Sequence, residues 1–121
     1  MINKIAIIGL GVIGGSLGMA LRSCCPGIIV AGRDLDPDTF VRAIELGAID
    51  QTLDNKFLSE CDLVILAAPL KAMPTIVEQI KGHIKPGAII SDVGSVKSWV
   101  MQLLERNFPA GVHIIGGHPM A

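Results

Sequence analysis

The chain has 121 residues, half of them hydrophobic, with a formal net charge of −1 and a mean hydropathy of +0.58. That is enough chain for one domain with a sizeable core, and it is too apolar for a disordered one. A near-neutral charge with few aromatics and no basic stripe leaves nucleic-acid binding without electrostatic support, and apolar runs broken by Gly, Pro or charge leave no membrane span.

Lys4–Ile8 reads as a buried strand. Val12–Cys24 carries helical spacing through Ile13, Leu17, Ala20 and Leu21 and stops at Pro26-Gly27. Ile28–Ala31 is a second strand. Asp36-Pro37 opens a helix, with Asp36 as its N-cap and Pro37 in the first turn, where the missing N–H costs nothing. That helix carries Phe40, Val41 and Ile44 and ends at Gly47. Ile49–Thr52 is a short third strand and Leu63–Ala67 an all-apolar fourth. Lys71–Ile84 reads as a helix with Pro74 in its first turn. Ala88–Ser91, the helix Val96–Arg106 and Val112–Ile115 complete the series. Trp99 and Met101 are expected in the core, where that last helix meets the sheet. Strands that read as unbroken apolar runs are covered on both faces, as in a parallel sheet. The expected fold is therefore α/β. It is a Rossmann-type, doubly wound, mostly parallel six-stranded sheet of order 3-2-1-4-5-6 with helices on both faces.

Cys24, Cys25 and Cys61 are an odd number without metal-ligand spacing, and the adjacent pair makes a mutual disulfide strained. All three read as reduced thiols of a cytoplasmic protein with no metal site. Met1-Ile2-Asn3-Lys4 leads straight into a strand, so no signal peptide is visible.

The turn after the first strand is Gly9-Leu10-Gly11-Val12-Ile13-Gly14, a G-x-G-x-x-G that follows a strand and opens a helix. In that setting Gly9 permits the tight turn, Gly11 lets a pyrophosphate approach the backbone, and Gly14 lets helix and strand pack closely. The helix N-terminus offers free N–H groups to the phosphates. Gly9, Gly11, Val12, Ile13 and Gly14 are accordingly the predicted phosphate-binding turn.

An acid is expected about 20 residues further on, at the end of the second strand, to hold the ribose hydroxyls. Asp34 stands 20 residues after Gly14. Its carboxylate favours NAD over NADP. Arg33 beside it is also assigned to the cofactor, either accommodating a 2′-phosphate or stacking on the adenine, so NADP stays as the alternative.

Ligands in this fold sit at the carboxyl ends of strands. The fourth strand exits into Ala67-Ala68-Pro69-Leu70, where Ala68 and Pro69 let a ribose lie close. The fifth exits into Asp92-Val93-Gly94-Ser95-Val96-Lys97, placing the Ser95 hydroxyl either at a helix N-cap or near a nicotinamide. The sixth exits into Gly116-Gly117-His118-Pro119. A neutral imidazole there could take a proton from an alcohol as hydride leaves. His83 and His113 are not expected to act chemically.

Taken together, GLGVIGGSLG, GRDLDP, LAAPL, DVGSVK and GGHPMA, in this order and spacing, resemble the prephenate dehydrogenase family, which includes arogenate and cyclohexadienyl dehydrogenases. The resemblance spans nearly the whole chain and corresponds to that family's N-terminal nucleotide-binding domain, here residues 1–121. It implies NAD-dependent oxidative decarboxylation of prephenate to 4-hydroxyphenylpyruvate, in tyrosine biosynthesis, or of arogenate to tyrosine. It implies that His118 draws the proton from the ring hydroxyl, that Ser95 lies near nicotinamide and substrate, and that Asp34 binds ribose. Family members often carry an aromatic just before that acid, and Arg33 departs from this. The family's C-terminal helical domain, which binds the substrate carboxylates and forms a homodimer, is absent from this chain. A cut chain with little or no turnover of its own is therefore expected. Two other readings compete. One is a different two-domain NAD(P) dehydrogenase, of hydroxyisobutyrate or pyrroline-carboxylate type, in which GGHPMA has no role. The other is a nucleotide-sensing module without chemistry.

Overall fold

The computed structural model describes residues 2–93 and 97–116. Its elements run β1 (Lys4–Ile8), α1 (Val12–Cys24), β2 (Ile29–Arg33), α2 (Pro37–Glu45), β3 (Gln51–Thr52), α3 (Asn55–Leu58), β4 (Leu63–Leu66), a 3-10 turn (Leu70–Ala72), α4 (Met73–Ile80), β5 (Ile89–Asp92), α5 (Lys97–Asn107) and β6 (His113–Gly116). The strands form one sheet of order β3-β2-β1-β4-β5-β6, and every pairing is parallel. This is the doubly wound order expected. The chain reverses its direction of winding between β1 and β4, so the crevice at their carboxyl ends is the place for a ligand.

Alternation along β1 explains why its residues after Lys4 are all apolar. Ala6 and Ile8 face one layer with Val64, Leu66 and Ile90, packed by Met73, Ile76, Val77 and Ile80 of α4 and by Val100, Leu103 and Leu104 of α5. Ile5 and Ile7 face the other layer with Val30 and Ile65, against Leu17 and Leu21 of α1 and Ala43 of α2. Successive strand side chains point to opposite faces, so a strand covered twice has no position left for a polar residue.

Several boundaries differ from expectation, each for a local reason. The helix expected over 71–84 is a 3-10 turn followed by α4, with Pro74 in the first turn of α4 and the helix over at Ile80. β3 is only two residues long. The one-turn helix α3 was not expected at all. It is too short for an apolar period to register, and it is held by Asp54, whose Oδ1 accepts the N–H of Phe57 at 2.7 Å. Asp36 caps α2 as expected, accepting the N–H of Asp38 at 3.1 Å. Trp99 is a correction. It is 39% exposed, because the buried stripe of α5 runs through Val100, Leu103 and Leu104 and leaves residue 99 on the flank.

The amino ends of the strands are tied by charge rather than shaped for a ligand. Asp62 Oδ2 accepts the N–H groups of Asn3 (2.8 Å) and Lys4 (3.0 Å), and Oδ1 accepts Lys85 Nζ at 2.6 Å. The Lys85 ammonium, then the two backbone donors, hold the Asp62 carboxyl well below the usual carboxylate range. A depressed native pKa stabilises the fold above the unfolded carboxylate's pKa of about 4 and fades as pH falls below it. Asp62→Asn should therefore lower unfolding stability by about 1–2 kcal/mol at pH 7. In urea melts taken from pH 7 downward, that deficit should persist to about pH 4 and then close. A deficit of constant size down to pH 2 would assign the loss to packing instead.

Candidate functional site

The glycine turn is shaped by two demands that fall on different glycines. Gly9 follows β1 at φ +100°, with its N–H on the carbonyl of Arg33 at 2.9 Å. A Cβ there would lie 2.5 Å from the backbone nitrogen of Ala68, so only glycine lets the turn pass over the exit of β4. Gly14, one turn into α1, lies directly against the Gly9 carbonyl, and a Cβ on it would overlap that oxygen. Gly11 is different. It is extended at φ −69°, ψ −154°, and a Cβ built on it meets nothing within 4 Å among the described residues. The fold does not need glycine at this position, where the space above the backbone is open.

Gly11 caps α1 without a side-chain hydrogen bond, and the first turn of the helix carries no acid. The leading N–H groups and the positive end of the helix dipole are therefore left for an anion. They open onto a cleft of about 600 Å³ lined by Gly9, Gly11, Val12, Ile13, Asp34, Ala67, Ala68, Pro69 and Val93, among others. That is the size of a cofactor or small-molecule site.

Asp34 stands at the cleft's edge and is held rigidly. Its Oδ2 accepts the N–H of Leu10, inside the glycine turn, at 2.7 Å, and its Oδ1 accepts the N–H of Asp36 at 2.9 Å. The carboxylate thus couples the exit of β2 to the glycine turn and still has lone pairs for two further donors. Arg33 points elsewhere. Its Nη2 donates to the carbonyl of Leu53 at 3.2 Å and reaches Asn55 Oδ1 at 3.5 Å, so its guanidinium leans on the segment between β3 and α3. Arg33 lines a smaller cavity beside the cleft, with Leu35, Ala72, Ile76 and Gln79 on its other walls.

The structure therefore gathers Gly9, Gly11, Val12, Ile13, Asp34, Ala68 and Pro69 around one cleft, with Gly14 packed beneath it and Arg33 beside it. Sequence reasoning missed Thr39, Leu70 and Met73 in the same wall. Thr39 donates to Asp36 Oδ2 at 2.9 Å. Its only sequence signal was its place in the first turn of a helix that starts at the ligand end of the sheet. Ser95 and His118 lie outside the described residues. Val93, at the exit of β5, lines the cleft. His113 is exposed at the amino end of β6, remote from the strand exits. Among the described residues no cluster of His, Cys, Asp or Glu could hold a metal ion, and no helix is long and apolar enough to cross a membrane.

Comparison with known proteins agrees with this geometry. A family model described as "Prephenate dehydrogenase, nucleotide-binding domain" matches residues 17–121. The chain is 35% identical to prephenate dehydrogenase of Bacillus subtilis, covering 100% of this chain and 33% of that protein. It is 37% identical to cyclohexadienyl dehydrogenase of Zymomonas mobilis, covering 98% and 41%. Among solved structures it is similar to the Aquifex aeolicus prephenate dehydrogenase in complex with hydroxyphenyl propionate and NAD+. There the TM-score is 0.85 at 27% identity, over 99% of this chain and 42% of that one. The chain spans between 33% and 41% of the length of these two sequence relatives.

Proposed function

The chain belongs to the prephenate dehydrogenase family, and on that premise we propose that it is the NAD-binding part of an oxidoreductase that oxidatively decarboxylates prephenate to 4-hydroxyphenylpyruvate. The observation that carries this reading is the open space over Gly11, set between the uncapped start of α1 and the fixed carboxylate of Asp34. A pyrophosphate fits the first and a ribose diol the second. When bound, the dinucleotide supplies the hydride acceptor. The residues of this chain hold and orient it. α1 neutralises the phosphates, Asp34 anchors the adenosine ribose, and Ala68 and Pro69 let the cofactor lie flat against the β4 exit.

In this reading His118, two residues beyond the end of β6, accepts the proton of the substrate's ring hydroxyl. Ser95, three residues beyond the end of β5, completes that polar contact. A further helical domain of the whole protein binds the substrate carboxylates and makes a homodimer. Arogenate is the second substrate reading, supported by similarity to the Synechocystis arogenate dehydrogenase structure (31% identity, TM-score 0.82, over 96% of this chain and 40% of that one).

The choice of NAD over NADP rests on charge. A 2′-phosphate would sit against Asp34, with Asp36 and Asp38 close behind in the chain. Each like-charge pair at about 4 Å costs on the order of 1–4 kcal/mol near a protein surface. The adjacent cation, Arg33, is turned onto Leu53 and Asn55. Calorimetric titration with NAD+ and NADP+ tests the assignment. NAD+ should bind more tightly, and Asp34→Asn should narrow its advantage by about tenfold, or ~1.4 kcal/mol. Arg33→Ala should leave the NAD+/NADP+ ratio unchanged. Preference for NADP+ that vanishes in Arg33→Ala would hand specificity to the arginine. Absence of binding to either nucleotide would overturn the function.

A further inference from the structure

At the far end of α1 from the cleft, two thiols converge. In a continuing helix, adjacent side chains point away from each other. Here the helix stops between Cys24 and Cys25, and the cause is the Pro26-Gly27 that follows. Proline disfavours the helical conformation for the residue before it. Cys25 accordingly sits at φ −128°, ψ 75°, and Gly27 turns the chain at φ +94°. That swing brings Cys25 Sγ to 2.9 Å from Cys24 Sγ. Cys24 is exposed and Cys25 half-buried, whereas Cys61 is fully buried under the sheet.

We propose that Cys24 and Cys25 form a dithiol site for a trivalent arsenical, held as a ring closed through both sulfurs. A direct disulfide is the poorer product of the same pair. Adjacent Cα atoms across a trans peptide are about 3.8 Å apart, short of the roughly 4.4–6.8 Å that a disulfide spans. The peptide bonds among the described residues are all trans. One atom inserted between the sulfurs lengthens the bridge and removes that conflict. The described residues offer no third ligand for a metal ion. An organoarsenical needs none, because its third bond is already made to carbon. The exchange is balanced without an oxidant. Both S–H bonds break, two S–As bonds form, the arsenic–oxygen bond is lost, and the oxygen leaves as water with the two thiol protons. Arsenic stays trivalent throughout.

Phenylarsine oxide is the probe, read by intact mass under native conditions. The chain should gain one adduct, which survives glutathione and is removed by a 1,2-dithiol. Because the second sulfur closes an intramolecular ring, Cys24→Ser and Cys25→Ser should each weaken capture on the order of a hundredfold. Cys61→Ser should retain it. Pro26→Ala, which lets the helix run on and parts the thiols, should weaken capture with both cysteines still present. Circular dichroism melts confirm that each variant is folded. An adduct that persists in folded Cys24→Ser, that monothiol strips from the unaltered chain, or that never forms would overturn the proposal.

Discussion

Gly14→Ala should lower the unfolding free energy of the domain by about 3 kcal/mol or more, the upper end of what overpacking costs. The added methyl would overlap the carbonyl oxygen of Gly9. Neither partner can step aside. Gly9 is itself pinned by its bond to Arg33 and by the backbone of Ala67 and Ala68. Relief requires α1 to move off β1, which opens the layer holding Ile5, Ile7 and Leu17. For a domain of this size the melting temperature should fall by on the order of 10 °C. Gly18→Ala provides the comparison, because a methyl there would overlap the carbonyl of Ala48 on the same face of α1. If Gly14→Ala melted within a degree or two of the unaltered chain, the close approach of α1 to the turn would be wrong.

The second large effect is the converse one. Gly11→Val should leave the melting temperature almost unchanged and weaken dinucleotide binding by at least about a hundredfold, ~2.7 kcal/mol. Gly11 is extended, and none of the described residues lies within 4 Å of its Cβ position, so the fold tolerates a side chain. On the proposed function the pyrophosphate does not, because it has to reach the first N–H groups of α1 through that space. Titration with NAD+ beside a thermal melt separates the two glycines. One substitution lowers stability, and the other weakens ligand binding alone. A Gly11→Val variant that binds as before would mean that the phosphates do not pass over this turn.

The thiols differ as their surroundings do. Burial, then the neighbouring charge of Asp62, pushes the Cys61 thiol up to about 12. Cys61 is therefore a core hydrophobe in practice, whereas Cys24 is exposed and Cys25 half-buried, a difference that the shared sequence setting of reduced thiols does not record. That setting did not say that the neighbouring pair would converge. The convergence depends on which residue ends α1.

The element order was legible because doubly covered strands must be apolar throughout, and Lys4–Ile8, Leu63–Leu66 and Ile89–Ile90 are hydrophobic at each position after the first lysine. The glycine turn and Asp34 were legible because their spacing is set by one tight turn and one strand–helix–strand unit, both local in the chain. Asp36 and Pro37 marked the start of α2 by chemistry that acts within a single turn. Three things needed the assembled structure. Trp99 lies outside the core because α5 packs on the sheet through Val100, Leu103 and Leu104, and composition does not record which stripe is covered. Arg33 turns toward Leu53 and Asn55, about twenty residues away in sequence, and no local pattern records that partner. The different duties of Gly11 and Gly14 follow from what stands opposite each. One faces an open cleft and the other a carbonyl oxygen, and such distances exist only after β1, α1 and β4 have packed.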